Sequence, residues 1–250
     1  MKRILAVASG KGGVGNTWFA ISLGQALAQL NQRVLLVDGD VGLANVDIQL
    51  GLARTVDLTH VVMGEIPLSQ AIQRVDALGL DVLPGRSGGG HLGGLDPMMV
   101  GWMQRELRRI GEGYDVVILD LPSGVEQGVR ALMRQADDEI IVTTAEPTAL
   151  TDAYALIKAT HRNRLGGVPK IVVNFAEHET SGRQTLEGLV RVCERFLAIK
   201  PKQLGVIRRD PRVPEAIGRQ VPLLQCYPRC DAARDVIAVA KAWLQAKDRA

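Results

Sequence analysis

Short apolar runs alternate along this chain with longer segments in which apolar residues recur every three or four positions. The runs predict strands at 4–8, 33–37, 80–83, 115–119, 139–143, 170–173 and 202–207. Val, Ile and Leu fill their centres without polar alternation, which is typical of parallel strands covered on both faces. Helical periodicity predicts helices at 17–30, 98–110, 149–162, 181–196 and 232–248. The alternation predicts an α/β fold with a doubly wound, mostly parallel sheet flanked by helices.

Composition limits the function classes without selecting one. The chain is 46% hydrophobic and 23% charged, and its net charge of +3 is too small to indicate a nucleic-acid surface. Its three cysteines do not suggest a disulfide framework, so we expect free thiols in a reducing cytoplasm. No apolar stretch approaches the ~18 residues of a membrane span. The length fits one domain over residues 1–250.

A glycine-rich loop follows the first predicted strand. Residues 9–17 read SGKGGVGNT, which fits the P-loop pattern G-x-x-x-x-G-K-[ST] at Gly10, Gly15 and Thr17 but has Asn16 in place of the lysine. A loop between a parallel strand and a helix lies where helix N–H groups bind anions. Its glycines let the backbone wrap a phosphate. The alternative is a tight turn that binds no ligand.

A second glycine-rich segment covers residues 85–94, where six of ten residues are Gly. It is either a second ligand loop or a mobile connection, and its composition favours the connection.

Lys11 gives the sequence Lys-Gly-Gly-Val-Gly the form of the deviant Walker A motif of the MinD/ParA family. The resemblance continues in RVLLVDGDVGLANVDIQLGL (33–52), which is similar to the second family motif, and in DLPSG (120–124), which resembles switch II. TTAEPTALTDAYAL (143–156) and RVCERFLAIKPKQLGVIRRDPRV (191–213) resemble the FlhG/FleN branch, which sets flagellar number and position. The resemblance covers nearly the whole chain. It implies a MinD-like P-loop ATPase that hydrolyses ATP to ADP and phosphate.

The resemblance also implies a site for ATP or ADP with Mg²⁺ at the interface of a homodimer that forms on ATP binding. Lys11 would reach the partner's phosphates, and Asp40 would orient the attacking water, so both are implied in catalysis. Thr17, Asp38 and Asp120 would hold the Mg²⁺. The residues implied in nucleotide binding are Gly10, Lys11, Gly12, Gly13, Val14, Gly15, Asn16, Thr17 and Trp18 around the phosphates, and Asn174, Pro211 and Val213 around the adenine.

Asn16 departs from the family pattern. The family's lysine neutralises charge on the β- and γ-phosphates, whereas an asparagine is shorter and uncharged. Losing such a charge commonly costs ~10²-fold or more in rate. Trp18 also stands where the family has a small or polar residue, and the pair favours a naturally altered loop over an engineered replacement. We therefore expect weakened nucleotide binding and slow or absent hydrolysis.

The predicted C-terminal helix, 232–248, has one apolar stripe. Either this stripe packs on the sheet, which its position favours, or it targets the protein to a membrane, as in MinD-like proteins. We expect a cytoplasmic protein, with peripheral contact to the inner face of the cell membrane under the second alternative.

The flagellar resemblance implies an FlhF-type GTPase, a transcription regulator or a C-ring component as partners. Three further functions stay open beside the flagellar switch: a nucleotide-poor scaffold, a ParA-type partitioning ATPase and, more remotely, a metabolic enzyme on the same loop. DNA is an unlikely partner because no basic stripe is visible.

Overall fold

The structure, a computed structural model, describes residues 3–40, 44–52, 56–85, 97–134, 136–161 and 167–247. One sheet has eight strands: β1 (Arg3–Ala8), β2 (Val34–Asp38), β3 (Gln73–Val75), β4 (Leu80–Leu83), β5 (Val116–Asp120), β6 (Asp138–Thr143), β7 (Lys170–Ala176) and β8 (Lys202–Arg208). Their order is β3-β4-β2-β5-β1-β6-β7-β8, and every pairing is parallel except that of β3 with β4. This confirms the predicted fold class.

Helices cover both faces of the sheet. In the described part of the chain they are α1 (Asn16–Gln29), α2 (Val46–Leu50), α3 (Leu58–Val62), α4 (Leu68–Ala71), α5 (Pro97–Ile110), α6 (Gln127–Met133), α7 (Pro147–His161), α8 (Glu179–Leu197), α9 (Arg212–Gly218), α10 (Leu223–Cys226) and α11 (Asp231–Lys247). Two apolar cores result, one on each face. Because both faces are covered, the middles of the central strands are continuously apolar, and their acidic residues stand at strand ends.

The C-terminal helix packs on the sheet. On α11 the side chains of Val236, Val239 and Trp243 are all at most 1% exposed. The helix approaches β8 so closely that a Cβ at Gly205 would lie 2.5 Å from a methyl carbon of Val239. The apolar stripe therefore belongs to the core in this conformation and is not available to a bilayer. Residue 248 of the predicted helix lies outside the described residues.

A buried polar cluster fixes the far end of α11. The indole nitrogen of Trp243 donates to Asp138 Oδ2 at 2.8 Å, and Lys170 forms an ion pair with the other carboxylate oxygen of Asp138. The cluster joins α11 to β6 and β7. None of the described helices is both long and apolar enough to cross a membrane.

The carboxyl ends of the parallel strands lie along one edge of the sheet, as strand direction requires. The glycine-rich loop follows β1 there, Asp38 ends β2, and Asp120 ends β5. This edge therefore collects the residues predicted to bind phosphate and metal. The second glycine-rich segment follows β4, but all of it beyond Gly85 lies outside the described residues.

Candidate functional site

The backbone of the glycine-rich loop forms an open cradle. Gly13 has φ +80° and Gly15 has φ +84°, conformations that L side chains rarely adopt. Helix α1 begins directly after Gly15 without a side-chain cap, so the N–H groups of its first turn are free to bind an anion. At the start of the loop, a Cβ at Gly10 would overlap the carbonyl oxygen of Asp152, so the loop also rests against α7.

A cavity of about 350 Å³ lies above this cradle. It brings together most of the predicted site residues: Gly12, Gly13, Gly15, Asn16, Thr17, Trp18, Asp38, Asp40 and Asp120. Sequence reasoning missed six other lining residues: Ser9, Asn45, Gln49, Leu121, Pro122 and Ser123. All six lie within the motif segments quoted in the sequence analysis, and this position in the sequence was the signal that could have identified them. The remaining predicted residues, among them Gly10 and Lys11, do not line the cavity.

Two carboxylates form the floor of the cavity. Asp38 and Asp120 are register partners at the ends of β2 and β5, and they are 0% and 3% exposed. Asp38 accepts hydrogen bonds from the backbone N–H groups of Asp40, Asn45 and Val46, all at 3.1 Å. Burial nevertheless raises the pKa of Asp38 to about 6. The pKa of Asp120 is held well above its ordinary value, first by burial and then by the charge of Asp38.

These carboxylates fit a divalent cation. Thr17 forms a side-chain hydrogen bond with Asp120, so a hydroxyl and two buried carboxylates meet at the start of α1. Oxygen ligands of this kind are those that Mg²⁺ prefers, usually together with water and phosphate. A bound cation would stabilise the charged forms that burial disfavours. The predicted metal residues are therefore together, beside the cradle for phosphate.

Asn16 is turned into the sheet edge. Its Nδ2 donates to Asp120 Oδ1 at 2.7 Å and to the carbonyl oxygen of Leu121 at 3.0 Å, with a longer contact to the Val7 carbonyl at 3.3 Å. Its Oδ1 is buried and has no hydrogen-bond partner among the residues that the structure describes. The amide therefore connects the loop to β5 and supplies no positive charge to the cavity.

Lys11 points away from the cavity and towards the start of α7. Its Nζ donates to Glu146 Oε2 at 2.7 Å and to Thr148 Oγ1 at 2.9 Å. The lysine side chain is 35% exposed. The hydrogen bond and charge of Lys11 lower the pKa of the exposed Glu146 carboxyl. Lys11 is therefore held within its own chain, by two residues that sequence reasoning did not single out.

The residues predicted to surround adenine lie at the same edge, beyond the cavity. Asn174 is 0% exposed, its Nδ2 donates to the Val14 carbonyl at 2.9 Å, and its Oδ1 accepts from the Phe175 N–H at 2.9 Å. Its amide thus braces the glycine-rich loop. Pro211 immediately precedes α9, whereas Val213 is 6% exposed and packs in a core cluster.

Comparisons with known proteins agree with this geometry. A family model described as an AAA domain matches residues 2–166. The antiactivator FleN of Pseudomonas aeruginosa is 34% identical over 96% of this chain and 85% of the relative. The septum site-determining protein MinD of Bacillus subtilis is 33% identical over 89% of this chain and 82% of the relative.

Similarity of the fold extends to solved structures. MinD of Pyrococcus horikoshii, solved as a complex with Mg-ADP, superposes with a TM-score of 0.81 over 100% of this chain and 99% of that chain, at 23% identity. At that identity the likeness shows the fold.

Proposed function

The chain belongs to the MinD/ParA family of P-loop ATPases, and we propose that it is an ATP-binding switch that regulates flagellar number or placement. One observation carries the nucleotide site: the phosphate cradle, the Thr17 hydroxyl and the carboxylates of Asp38 and Asp120 meet at one cavity of about 350 Å³. The 34% identity to FleN, over nearly the whole chain, favours the flagellar branch.

The chain's own groups account for nucleotide binding without a lysine at position 16. The free N–H groups of α1 carry the positive end of the helix dipole, equivalent to roughly half a charge. Thr17, Asp38 and Asp120 would hold Mg²⁺, which supplies the charge that draws the phosphates into the cradle. We infer that ATP and ADP bind as their magnesium complexes, more weakly than they would with a lysine at position 16.

For Lys11 to reach a partner's phosphates in an ATP-bound dimer, its side chain must break its contacts within its own chain. In the single chain its ammonium is bound by Glu146 and Thr148 at the surface. Exposed ion pairs of this type contribute little, about 1 kcal/mol or less, so a partner's phosphates would compete for Lys11 easily. We propose that Lys11 exchanges these contacts for the phosphates of the partner subunit when ATP is bound.

Hydrolysis is the step that Asn16 impairs. Asp40 lines the cavity and would orient the attacking water, while Thr17 and the carboxylates position the metal. Charge nevertheless grows on the phosphates in the transition state, and the Asn16 amide is neutral and already donates to Asp120 and Leu121. We expect hydrolysis that is slow or absent. The proposed partners are an FlhF-type GTPase, a transcription regulator or a C-ring component.

Calorimetric titration with Mg-ATP and Mg-ADP, and a separate assay of phosphate release from ATP, test the proposal on this chain and on Asn16→Lys. We expect micromolar binding by both proteins. The rate of phosphate release should be at least about a hundredfold higher in Asn16→Lys than in this chain. Absence of binding by both proteins would favour a nucleotide-free scaffold of the same fold. Equal turnover in both would show that position 16 does not control hydrolysis.

A further inference from the structure

Several residues that line the candidate cavity carry a buried polar atom with no hydrogen-bond partner among the residues that the structure describes. These atoms are Oγ of Ser9, Oδ1 of Asn16, Nε1 of Trp18 and Oε1 of Gln49. Unpaired buried atoms are rare in folded proteins, because such an atom has given up its hydrogen bonds to water and gained none. Their concentration around one cavity indicates a ligand that supplies the missing partners.

The chemistry of these atoms separates Gln49 from the others. The hydroxyl of Ser9 and the indole N–H of Trp18 can donate, so the oxygen atoms of a phosphate would satisfy both. The amide of Asn16 already donates within the sheet edge. Oε1 of Gln49 can only accept, and phosphate oxygens, which accept too, cannot pair with it. Gln49 therefore needs a donor other than the phosphates.

Helix α2 places Gln49 beside the metal carboxylates. The backbone N–H groups of Asn45 and Val46, at the start of this helix, donate to Oδ2 of Asp38 at 3.1 Å. The N–H of Gln49 donates to the carbonyl oxygen of Asn45 at 3.0 Å, so Gln49 lies one turn later on the same face. Asn45 also lines the cavity. The side chain of Gln49 therefore enters the cavity from the helix that holds the carboxylate of Asp38.

Contacts outside the cavity fix this helix. The side-chain amide of Gln220 donates to the carbonyl oxygen of Ile48 at 2.8 Å, next to Gln49. Gly51 follows the helix with φ +60°, and a Cβ there would lie 2.9 Å from Oε1 of Gln220. Helix α2 also packs against α1, which carries Thr17. The position of Gln49 is thus set by its own chain.

We propose that Gln49 is a positioning residue for the metal: its Oε1 accepts a hydrogen bond from a water molecule of the Mg²⁺ shell, an assignment that rests on the nucleotide site proposed above. Mg²⁺ gives up its waters reluctantly and usually keeps several of them beside one or two carboxylates. A water bound to the cation is a stronger donor than bulk water, because the cation withdraws charge from it. The other donors of a nucleotide are the hydroxyl and amino groups of the nucleoside, whose hydrogen bonds do not require the metal.

Calorimetric titration of the full chain with ADP, in excess Mg²⁺ and in EDTA, tests the assignment. The variants are Gln49→Met, which keeps the length of the side chain without the acceptor, and Gln49→Glu, which keeps an acceptor oxygen. Gln49→Leu is a second apolar variant of different shape, and the matched control is Gln184→Leu, which changes an exposed glutamine on α8. Urea unfolding in EDTA checks the fold of each protein. Gln49→Met should be at least as stable as the unaltered chain, because it removes an unpaired buried atom.

Gln49→Met should weaken ADP binding about tenfold in Mg²⁺, a typical effect of removing a group that orients the ligands of a metal, and should leave binding in EDTA unchanged. Gln49→Glu and Gln184→Leu should retain the affinity of the unaltered chain in Mg²⁺. An equal loss with and without the metal would show that Gln49 contacts the nucleotide itself, and the assignment would be wrong. Unchanged affinity of Gln49→Met in Mg²⁺, or an equal loss in Gln49→Glu, also overturns it. Failure of the unaltered chain to bind ADP in either condition would instead refute the nucleotide site itself.

Discussion

The buried carboxyl of Asp38 should make the stability of the ligand-free protein depend on pH. Burial raises its pKa from 3.8 to about 6. Each unit corresponds to 1.36 kcal/mol, so the folded state disfavours the charged carboxylate by about 3 kcal/mol. The folded chain binds this proton more tightly than the unfolded chain does, so the free energy of unfolding falls as pH rises from about 4 to 6. Above pH 6 the contribution is constant and unfavourable.

Substitution of Asp38 by Asn removes this titration. The new amide also disturbs the hydrogen bonds from the N–H groups of Asp40, Asn45 and Val46, but that cost does not change with pH. The informative quantity is therefore the difference in unfolding free energy between the unaltered chain and Asp38→Asn at each pH. Asp120 contributes in the same direction, because the charge of Asp38 helps to raise its pKa.

Urea unfolding of both proteins in EDTA, at pH 4, 5, 6 and 7, measures the difference. We expect the unaltered chain to lose about 3 kcal/mol relative to Asp38→Asn across this range. Asp76→Asn, which removes an exposed carboxylate, controls for the loss of one charge. Magnesium should flatten the curve by favouring the charged carboxylates. A difference that is constant, or that favours the unaltered chain more as pH rises, would refute the reasoning.

Three further predictions concern packing and the metal. Gly10→Ala should destabilise the fold by at least about 2 kcal/mol in urea unfolding, because the new Cβ would overlap the backbone of α7. The control is Gly188→Ala on α8, where a Cβ would meet no described atom within 4 Å; this variant should be neutral or stabilising by up to about 1 kcal/mol. Trp243→Phe should cost about 1–3 kcal/mol in the same assay, since it removes a donor from the buried Asp138; no loss would show that this bond is dispensable. Calorimetry should show that EDTA weakens ADP binding at least tenfold, because the described lining of the cavity has three carboxylates and no lysine or arginine. The loss of affinity should be smaller in Asn16→Lys, and an equal loss in both proteins would contradict this.

The sequence predicted the parallel strands because they are covered on both faces and therefore have continuous apolar runs. It missed β3, which has only three residues, none of them fully buried, and so gives no apolar run. The helices of four to seven residues, such as α2 and α4, were also missed because they are too short for a clear 3.6-residue period. These failures follow from length and exposure rather than from unusual residues.

The candidate site also contains features that the sequence predicted and features that it could not predict. The glycine-rich loop, Asp38 and Asp120 were predictable because they directly follow or end strands whose carboxyl ends share an edge. The partners of Asn16 were not predictable: its bonds to Asp120 and Leu121 join residues 104 and 105 positions apart, and they depend on how β1 and β5 pair. The contact of Lys11 with Glu146 has the same origin, over 135 positions.

Asn16 makes a structural contact but supplies no positive charge. Its amide ties the start of α1 to the end of β5, beside the hydrogen bond between Thr17 and Asp120. Under the proposed function, the charge that a lysine would bring to the phosphates is missing at this position. Backbone N–H groups and a metal act on the ground state and the transition state, whereas the missing charge matters most where charge grows. The substitution should therefore reduce turnover more than binding, which is the behaviour expected of a switch that holds its nucleotide for long periods.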